Sequence, residues 1–418
     1  MITKIDSNLD QELDKTGHSI RWILNTLEEC CSEYVEAKSE ATVVSIKTVD
    51  VSVDKGYYSR VFITTFYFDN GKECTLALKV PTFDMLDEWI KSRESAADEN
   101  PETWKAHLQT SHNIECDALK LVLPFTNFPA PKAYYTQKRG VIYDNGLSDT
   151  EAPGIIIMSA IYGSSLGLFS TATKEQCISM AEDFAVFHDY IDQTEEEKWK
   201  NKFDSQLHMG VHLREAIVKA ILKIGEIHPE AKKECQLLAD MDFKSYSQYA
   251  LKSRPAEFSA TTLIHGDTWN NNIIFKKNPD GSLGNKVQAY IDFQTLFEGS
   301  PMFDIARFVS ICSDADVRRD GTPAILQAYY KKLTELYKRR RKRVPFTLEM
   351  VSELYDLAFI HQAQNVALLA QFFSERKVEN KTVMEAEEAK MNLRAKFALI
   401  DAVKALRKLK LSEKFNSN

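Results

Sequence analysis

The chain has 418 residues, of which 44% are hydrophobic, so it is long enough to form two lobes or domains with cores of their own. Its formal net charge of -7 argues against a nucleic-acid binder, which needs an excess of Lys and Arg to neutralise phosphates. The first residues lack the apolar stretch of a secretory signal, and no apolar run could span a bilayer, so we expect a cytoplasmic protein without membrane insertion.

The N-terminal part of the chain predicts a helix followed by strands. Apolar residues recur at steps of three and four between Ile20 and Tyr34, which is typical of an amphipathic helix, so residues 1–40 form a predicted N-terminal helical segment. Residues 41–80 are rich in Val, Ile, Thr, Tyr and Phe and predict an antiparallel meander. Within it, a turn at Asp69-Asn70-Gly71 predicts that 61–68 and 75–80 pair as a hairpin.

The remaining elements predict an α+β fold with two lobes. A helical spacing of apolar residues at 114–122 precedes two strand-like runs, 133–137 and 154–158. We therefore predict a small antiparallel β lobe with one helix at 41–160, which would bind a nucleotide. Helical spacing dominates from Lys174 onward, so residues 161–418 form a larger, mainly helical lobe that would carry the catalytic and acceptor-binding residues.

One polar cluster in the second lobe has the residue types that phosphoryl transfer needs. It lies between two short apolar runs at 262–275, which predicts a loop between strands, and the next strand ends at Asp292. Phosphoryl transfer requires an oriented acceptor hydroxyl and metal ions on the phosphates. Asp267 would orient the hydroxyl and accept its proton, Asn272 would hold one magnesium ion through its amide oxygen, and Asp292 would hold both metal ions.

These motifs resemble a known family. HGDTWNNNIIF followed by YIDFQTLFEGSPMFDIAR resembles the catalytic and metal-binding loops of choline and aminoglycoside kinases, most closely the choline-kinase-like group that includes insect ecdysteroid kinases and nematode relatives. The resemblance implies a protein-kinase-like fold, the cofactors ATP and Mg²⁺, and a small hydroxylated acceptor. The acceptor stays open between a steroid, a sugar or glucoside, a choline-like molecule and a xenobiotic alcohol. The sequence lacks an Ala-Pro-Glu segment with an activation loop, which argues against a protein substrate.

The resemblance extends to the predicted β lobe. Lys79 in TLALKVP resembles the strand lysine that meets the nucleotide phosphates, and Glu115 in HNIE resembles its helical ion-pair partner. Gly56 and Ser59 fall where family members carry a short turn over the phosphates. The motif has one glycine where protein kinases have three, so phosphate contacts would rely on Ser59 and backbone amides.

Two further groups of residues take supporting roles by the same resemblance. The predicted hinge, residues 157–160, lacks the acidic residue of many relatives, so adenine would contact backbone groups at Met158 and Ala160. His265 is interpreted as a residue that packs and hydrogen-bonds to hold the loop. Asp304 resembles a family Asp that accepts hydrogen bonds from backbone amides of the catalytic loop.

Two other classes of function remain as alternatives. The single-glycine turn and the altered hinge fit a catalytically silent nucleotide-binding module that acts through a protein partner. A metal-dependent phosphoesterase would bind a transition metal directly through His265, Asp267 and Asp292, but such sites usually gather more His and carboxylate ligands. The sequence contains neither G-x-G-x-x-G nor a Walker lysine motif, which argues against dinucleotide oxidoreductases and P-loop enzymes.

The helical lobe offers two more features to interpret. The basic run 338–343 is read as a solvated helix end, with nuclear import, an acidic membrane or an anionic substrate as alternatives. Five side chains are candidates to line an acceptor pocket: Trp269, His361, Gln362, Phe372 and Phe373. For the two phenylalanines, packing in the core is the favoured alternative. The oligomeric state stays open.

Overall fold

The computed structural model describes residues 2–4, 8–52, 59–82, 101–123, 127–140, 153–203, 213–374 and 380–415. The chain divides into two compact units. Unit 1 comprises Met1–Phe125 and Ala130–Tyr162, and unit 2 comprises Thr126–Pro129 and Gly163–Asn418. Every helix in the described ranges is too short or too polar to cross a membrane.

Unit 1 contains, within its described residues, a six-stranded antiparallel sheet in the order β1-β2-β3-β4-β6-β5. The predicted hairpin is confirmed, since β3 and β4 pair along their length and Val61 lies opposite Lys79. The sheet has one strand more than predicted, a three-residue edge strand at the N-terminus. The strands are β1 (Ile2–Lys4), β2 (Val43–Asp50), β3 (Ser59–Phe68), β4 (Glu73–Pro81), β5 (Ala133–Gln137) and β6 (Ile155–Ser159).

The helices of unit 1 include the predicted amphipathic helix. Ser19 caps it by accepting a hydrogen bond from the Trp22 N–H, which satisfies one of the free amides of the first turn. Its apolar face, with Ile23 and Leu27, shares one buried cluster with side chains of β3 and β4. Among the described residues of unit 1, the helices are α1 (Ile20–Cys30), α2 (Ser32–Lys38) and α3 (Pro101–Asp117), the last of which continues into a π-helical turn, Ala118–Val122.

Unit 2 is mainly helical, as predicted. Its described helices are α4 (Lys174–Gln193), α5 (Arg214–Ile227), α6 (Lys232–Ala239), α7 (Phe243–Gln248), α8 (Arg254–Glu257), α9 (Phe303–Cys312), α10 (Ala315–Arg339), α11 (Leu348–Ser374) and α12 (Lys381–Lys408). The long helix α11 packs against α5, α9 and α12. Together with the antiparallel sheet of unit 1, this larger helical part confirms the predicted α+β fold class.

Five short strands of unit 2 position the candidate site. They are β7 (Ser164–Ser165), β8 (Thr262–Ile264), β9 (Ile273–Lys277), β10 (Leu283–Tyr290) and β11 (Phe297–Gly299). β9 lies between β10 and β7, and β8 pairs with β11. The predicted loop between strands is thereby confirmed, because residues 265–272 connect β8 to β9.

The basic run at 338–343 is confirmed as a helix end. α10 ends at Arg339, and Arg340 forms ion pairs with Asp189 at 2.6 Å and Asp192 at 3.0 Å, both contributed by α4. One cation of the run therefore serves to join two helices of unit 2.

Candidate functional site

The loop after β8 is held in place by the carboxylate of Asp304. This side chain, buried in the first turn of α9, accepts hydrogen bonds from the backbone N–H groups of His265 at 2.8 Å and Gly266 at 2.9 Å. The hydroxyl of Thr268 donates to the backbone oxygen of Asp304 at 2.8 Å. The predicted anchoring role of Asp304 is confirmed, and the loop backbone is fixed directly before and after Asp267.

Gly266 is required by the backbone of this loop. Its φ of +87° is in the left-handed region, where a side chain is strained. A Cβ atom at this position would also lie 2.3 Å from the backbone oxygen of Thr295, well inside van der Waals contact. The loop can therefore approach residue 295 only because residue 266 has no side chain.

His265 supports the loop through both of its ring nitrogens. Nδ1 accepts a hydrogen bond from the backbone N–H of Asp267 at 3.3 Å, so Nε2 must carry the proton that it donates to the backbone oxygen of Ile291 at 3.0 Å. Burial lowers the pKa of His265, which favours this neutral form. The supporting role predicted for His265 is confirmed.

Asp267 and Asn272 lie close to each other across the loop. The Asn272 amide nitrogen donates to the Asp267 backbone oxygen at 3.0 Å and to its Oδ2 atom at 2.8 Å. This fixes the orientation of the Asn272 amide, because its nitrogen is engaged by Asp267, and it leaves the amide oxygen available as a ligand for a metal ion.

Asp292 is linked to the loop at 265–272 by the hydrogen bonds of its neighbour Ile291. The backbone N–H of Ile291 donates to the backbone oxygen of Asn272 at 3.0 Å, while its own oxygen accepts the proton of His265. Asp292 itself has a left-handed backbone, with φ +70°, and its Oδ2 atom accepts a hydrogen bond from Gln294 at 3.1 Å. Two hydrogen bonds of one residue thus join the end of β10 to both ends of the loop at 265–272.

The side chains of Asn272 and Asp292 suit magnesium. Mg²⁺ prefers oxygen ligands and is usually held in proteins by one or two side chains together with phosphate oxygens and water. One carboxylate and one amide oxygen meet this requirement. Within the ranges that the structure describes, no group of three or more His, Cys, Asp or Glu side chains could hold a metal ion, so the multi-ligand site of the phosphoesterase alternative is not found there.

The remaining predicted site residues belong to unit 1. Lys79 in β4 and Glu115 in α3 form an ion pair of 2.5 Å, with side chains only 7% and 2% exposed. Ser59 begins β3, two residues before the partner of Lys79. Met158 lies in β6 and pairs with residues of β4 and β5, and Ala160 follows the strand. The predicted role of Gly56 lies outside the described residues.

Arg307 is a functional candidate that the sequence did not predict. Its Nη2 atom donates to Oδ1 of Asp267 at 2.5 Å, and its Nη1 atom donates to Oε1 of Gln362 in α11 at 3.2 Å. Arg307 lies three residues after Asp304 in α9, so both side chains leave the helix on one face. This spacing, inside a motif already recognised, is the signal that could have identified it.

An aromatic group of four side chains includes Trp269, two residues after Asp267. Its ring stacks on Phe373, with centroids 6.4 Å apart, and Phe373 has edge contacts with Phe169 and Phe372. The structure therefore brings Trp269 and the two phenylalanines of α11 together, as an acceptor pocket would require. Their role in binding an acceptor remains a prediction.

One known family matches most of the length of the chain. The family DUF1679, described as "Uncharacterized oxidoreductase dhs-27", matches residues 29–409. A Caenorhabditis elegans protein of that name, "Uncharacterized oxidoreductase dhs-27", is 21% identical over 371 residues, which are 86% of this chain and 43% of that protein. More than half of that relative therefore lies outside the match.

Kinase-like proteins are also similar to the chain. The C. elegans "Uncharacterized kinase-like protein D1044.1" is 24% identical over 239 residues, covering 57% of this chain and 59% of that protein. The chain thus spans about half the length of the curated relatives it matches. Among solved structures, choline kinase from Cryptosporidium parvum Iowa II aligns over 93% of this chain and 96% of its own, with 11% identity and a TM-score of 0.48. The chain belongs to the DUF1679 family, whose model matches it from residue 29 to residue 409.

Proposed function

We propose that the protein is an enzyme that transfers the γ-phosphate of ATP to a hydroxyl group of a small molecule. The observation that carries this proposal is the loop at 265–272, in which Asp267 and Asn272 are hydrogen-bonded to each other and tied through Ile291 to Asp292. A carboxylate for the hydroxyl and two oxygen ligands for metal are the groups that phosphoryl transfer requires of a protein.

Asp267 is the residue that meets the acceptor. Its carboxylate accepts a hydrogen bond from the acceptor hydroxyl and so aims the oxygen at the γ-phosphorus. As the new O–P bond forms and the bond from the γ-phosphorus to the bridging oxygen breaks, the hydroxyl proton passes to Asp267 and ADP leaves. The backbone N–H bonds accepted by Asp304 keep Asp267 in place throughout, so little reorganisation accompanies the reaction.

Each residue proposed to contact the nucleotide has its own role. Bound magnesium offsets the negative charge of the phosphates, and Asn272 and Asp292 are its proposed ligands. Lys79 would donate to the phosphates, and the buried carboxylate of Glu115 holds the lysine side chain in one position. Ser59 and the backbone at Met158 and Ala160 are proposed to contact the phosphates and the adenine respectively.

The word oxidoreductase in the family description does not determine the activity that we propose for this chain. It names a protein of which this chain matches 43%, and the sequence of the chain contains no G-x-G-x-x-G dinucleotide motif. The description of the second relative as kinase-like agrees with the residues of the loop. We therefore propose phosphoryl transfer and not hydride transfer for this chain.

A second candidate function is nucleotide binding without catalysis, coupled to a protein partner. The ion pair between Arg307 and Asp267 favours it, because the guanidinium occupies one oxygen of the proposed base. Against it, the other oxygen of the Asp267 carboxylate takes no part in this ion pair, and both proposed metal ligands, Asn272 and Asp292, are present. Binding of Mg-ATP without consumption of ATP in the presence of any alcohol would support this candidate.

A screen for phosphorylated products tests the proposed function. The protein is incubated with Mg-ATP and a metabolite extract rich in hydroxylated compounds, and products are identified by mass spectrometry. We expect at least one phosphorylated alcohol with the wild-type protein and none with Asp292→Asn, which loses a charged metal ligand. ADP formation without a phosphorylated product, or equal products from both proteins, contradicts the proposal.

A further inference from the structure

We propose that Arg307 positions the carboxylate of Asp267 and makes the acceptor site select against positively charged alcohols. This inference rests on the proposed function and narrows its substrate class: the acceptor is a neutral or anionic alcohol and not a choline-like cation. The juxtaposition that carries it is the guanidinium of Arg307 on Oδ1 of Asp267, at 2.5 Å.

The position of Arg307 is fixed from two sides. α9 also presents Asp304, which accepts the N–H groups of the catalytic loop, so the helix that holds the loop also holds Arg307. On the other side, Oε1 of Gln362 accepts from Nη1 of Arg307 at 3.2 Å, and Gln362 is fully buried in α11. A side chain held at both ends of its guanidinium loses little entropy when it orients a neighbour.

Both carboxylate oxygens of Asp267 are therefore oriented. Oδ1 accepts from Arg307 and Oδ2 accepts from Asn272 at 2.8 Å. Each carboxylate oxygen has a second lone pair, so an acceptor hydroxyl can still donate to Asp267. Whichever oxygen accepts that hydroxyl, it belongs to the carboxylate that contacts the guanidinium, so the acceptor's neighbouring groups lie near a full positive charge.

The charges around Asp267 determine which acceptor is favoured. Alone, the Asp267 carboxylate would attract a cationic alcohol, but the ion pair with Arg307 cancels this attraction. The carboxylate of Asp304 is engaged by two backbone N–H groups, and the charge of Asp292 would be offset by the magnesium ion that it is proposed to hold. His361, beside Gln362, supplies no charge, because burial and the nearby Arg307 lower its pKa to about 3. A cationic alcohol thus gains no net attraction, whereas an anionic group can reach the guanidinium.

The test compares acceptors that differ in charge and share a shape. A metabolite extract is supplemented with equal amounts of choline and dimethylbutanol, in which carbon replaces the quaternary nitrogen, and transfer from Mg-ATP is measured for every alcohol. We expect the best acceptor of the wild-type protein to carry no positive charge. Arg307→Gln should raise the ratio of cationic to neutral products by about tenfold, because the charge of Asp267 is then uncompensated.

Two control variants separate charge from structure. Arg307→Lys keeps the positive charge and should keep the wild-type ratio, even if its rate falls. Arg319→Gln removes a partly exposed guanidinium near the start of α10 from its ion pair with Asp401 of α12, and it should leave the ratio unchanged. A choline-like best acceptor, or a ratio that Arg307→Gln does not raise, overturns the inference. The absence of every phosphorylated product is a different result, and it overturns the proposed function.

Discussion

Asp304 and Arg307 lie one helical turn apart in α9, and their side chains hold two parts of the same loop. Asp304 accepts the backbone N–H groups of His265 and Gly266, and Arg307 donates to the carboxylate of Asp267. A single turn of helix therefore fixes the backbone of the loop and the side chain that is proposed to meet the acceptor.

Replacing Asp304 with Asn should slow phosphate transfer by about tenfold or more. The carboxamide has one oxygen acceptor, and its NH₂ group would face a backbone N–H that now donates to the carboxylate. Steady-state kinetics at a fixed pH above neutrality measures the effect. A variant that transferred phosphate at the wild-type rate would show that the amide bonds do not position Asp267.

Activity should also decrease as the pH falls through about 7. Burial raises the pKa of Asp304 to about 7, and the protonated carboxyl loses an acceptor for one amide of the loop. Because this value lies above the ordinary pKa of 3.8, protonation favours the folded state, and the contribution of Asp304 to the unfolding free energy should increase as the pH falls from 7 towards 4. Activity and this contribution should thus change in opposite directions.

Asp183 provides the matched control for this pH dependence. Burial raises its pKa to about 7 as well, but it accepts a hydrogen bond from the hydroxyl of Tyr290 and none from the catalytic loop. Asp183→Asn should therefore keep the acidic limb of the pH-rate profile, whereas Asp304→Asn should lose it. If only the Asp183 variant lost the acidic limb, the group that titrates would be Asp183 and not Asp304, which would contradict this prediction.

Substituting one member of the buried pair in unit 1 should destabilise the protein. Glu115→Gln removes the negative charge that lies 2.5 Å from the buried ammonium of Lys79, which costs about 3 to 5 kcal/mol of unfolding free energy. The double variant Lys79→Met with Glu115→Leu should recover part of that loss, because no charge remains buried. Urea unfolding measures both effects. Equal destabilisation by the single and double variants would contradict the assigned role of the charges.

The same variants separate stability from nucleotide binding. The double variant, which lacks Lys79, should bind Mg-ATP more weakly even though part of its stability is recovered. Calorimetric titration with ATP at a temperature where each variant is folded measures the affinity. Wild-type affinity in the double variant would remove Lys79 from the nucleotide site.

Gly266→Ala should abolish most activity and cost about 3 kcal/mol of stability or more, because strain at positive φ adds to the contact with the Thr295 oxygen at 2.3 Å. Gly281 is the matched control, since its φ is +84° but nothing lies within 4 Å of an added Cβ atom. Gly281→Ala should cost only about 1 kcal/mol and retain activity. Thermal unfolding and the transfer rate measure the two effects, and equal costs at both positions would contradict this account.

The sequence predicted those parts of the candidate site whose residues lie close together along the chain. The loop at 265–272 and the segment that leads from β10 to Asp292 carry their chemistry in contiguous motifs, although the strand ends at Tyr290 and not at Asp292 as predicted. The hairpin of β3 and β4 follows from a turn signal between two β-rich runs. The contact of Arg307 with Asp267 spans 40 positions and depends on how α9 lies against the loop that follows β8, which residue spacing alone does not specify.

Two other features could not be predicted from residue spacing and composition. β1 has three residues at the edge of a sheet, too few for a period of two to be recognised. The engagement of Arg340 by Asp189 and Asp192 joins α4 to the end of α10, so the structural use of the basic run depends on helix packing that its composition does not reveal.

The central claim is that Asp267 acts in phosphate transfer and not in nucleotide binding. The most direct measurement compares the wild-type protein with Asp267→Asn in two assays, the equilibrium affinity for Mg-ATP and the rate of γ-phosphate transfer to an acceptor found by the screen. We predict an affinity within about threefold of the wild-type value and a transfer rate lower by about a thousandfold. Near-normal transfer by Asp267→Asn would contradict the account.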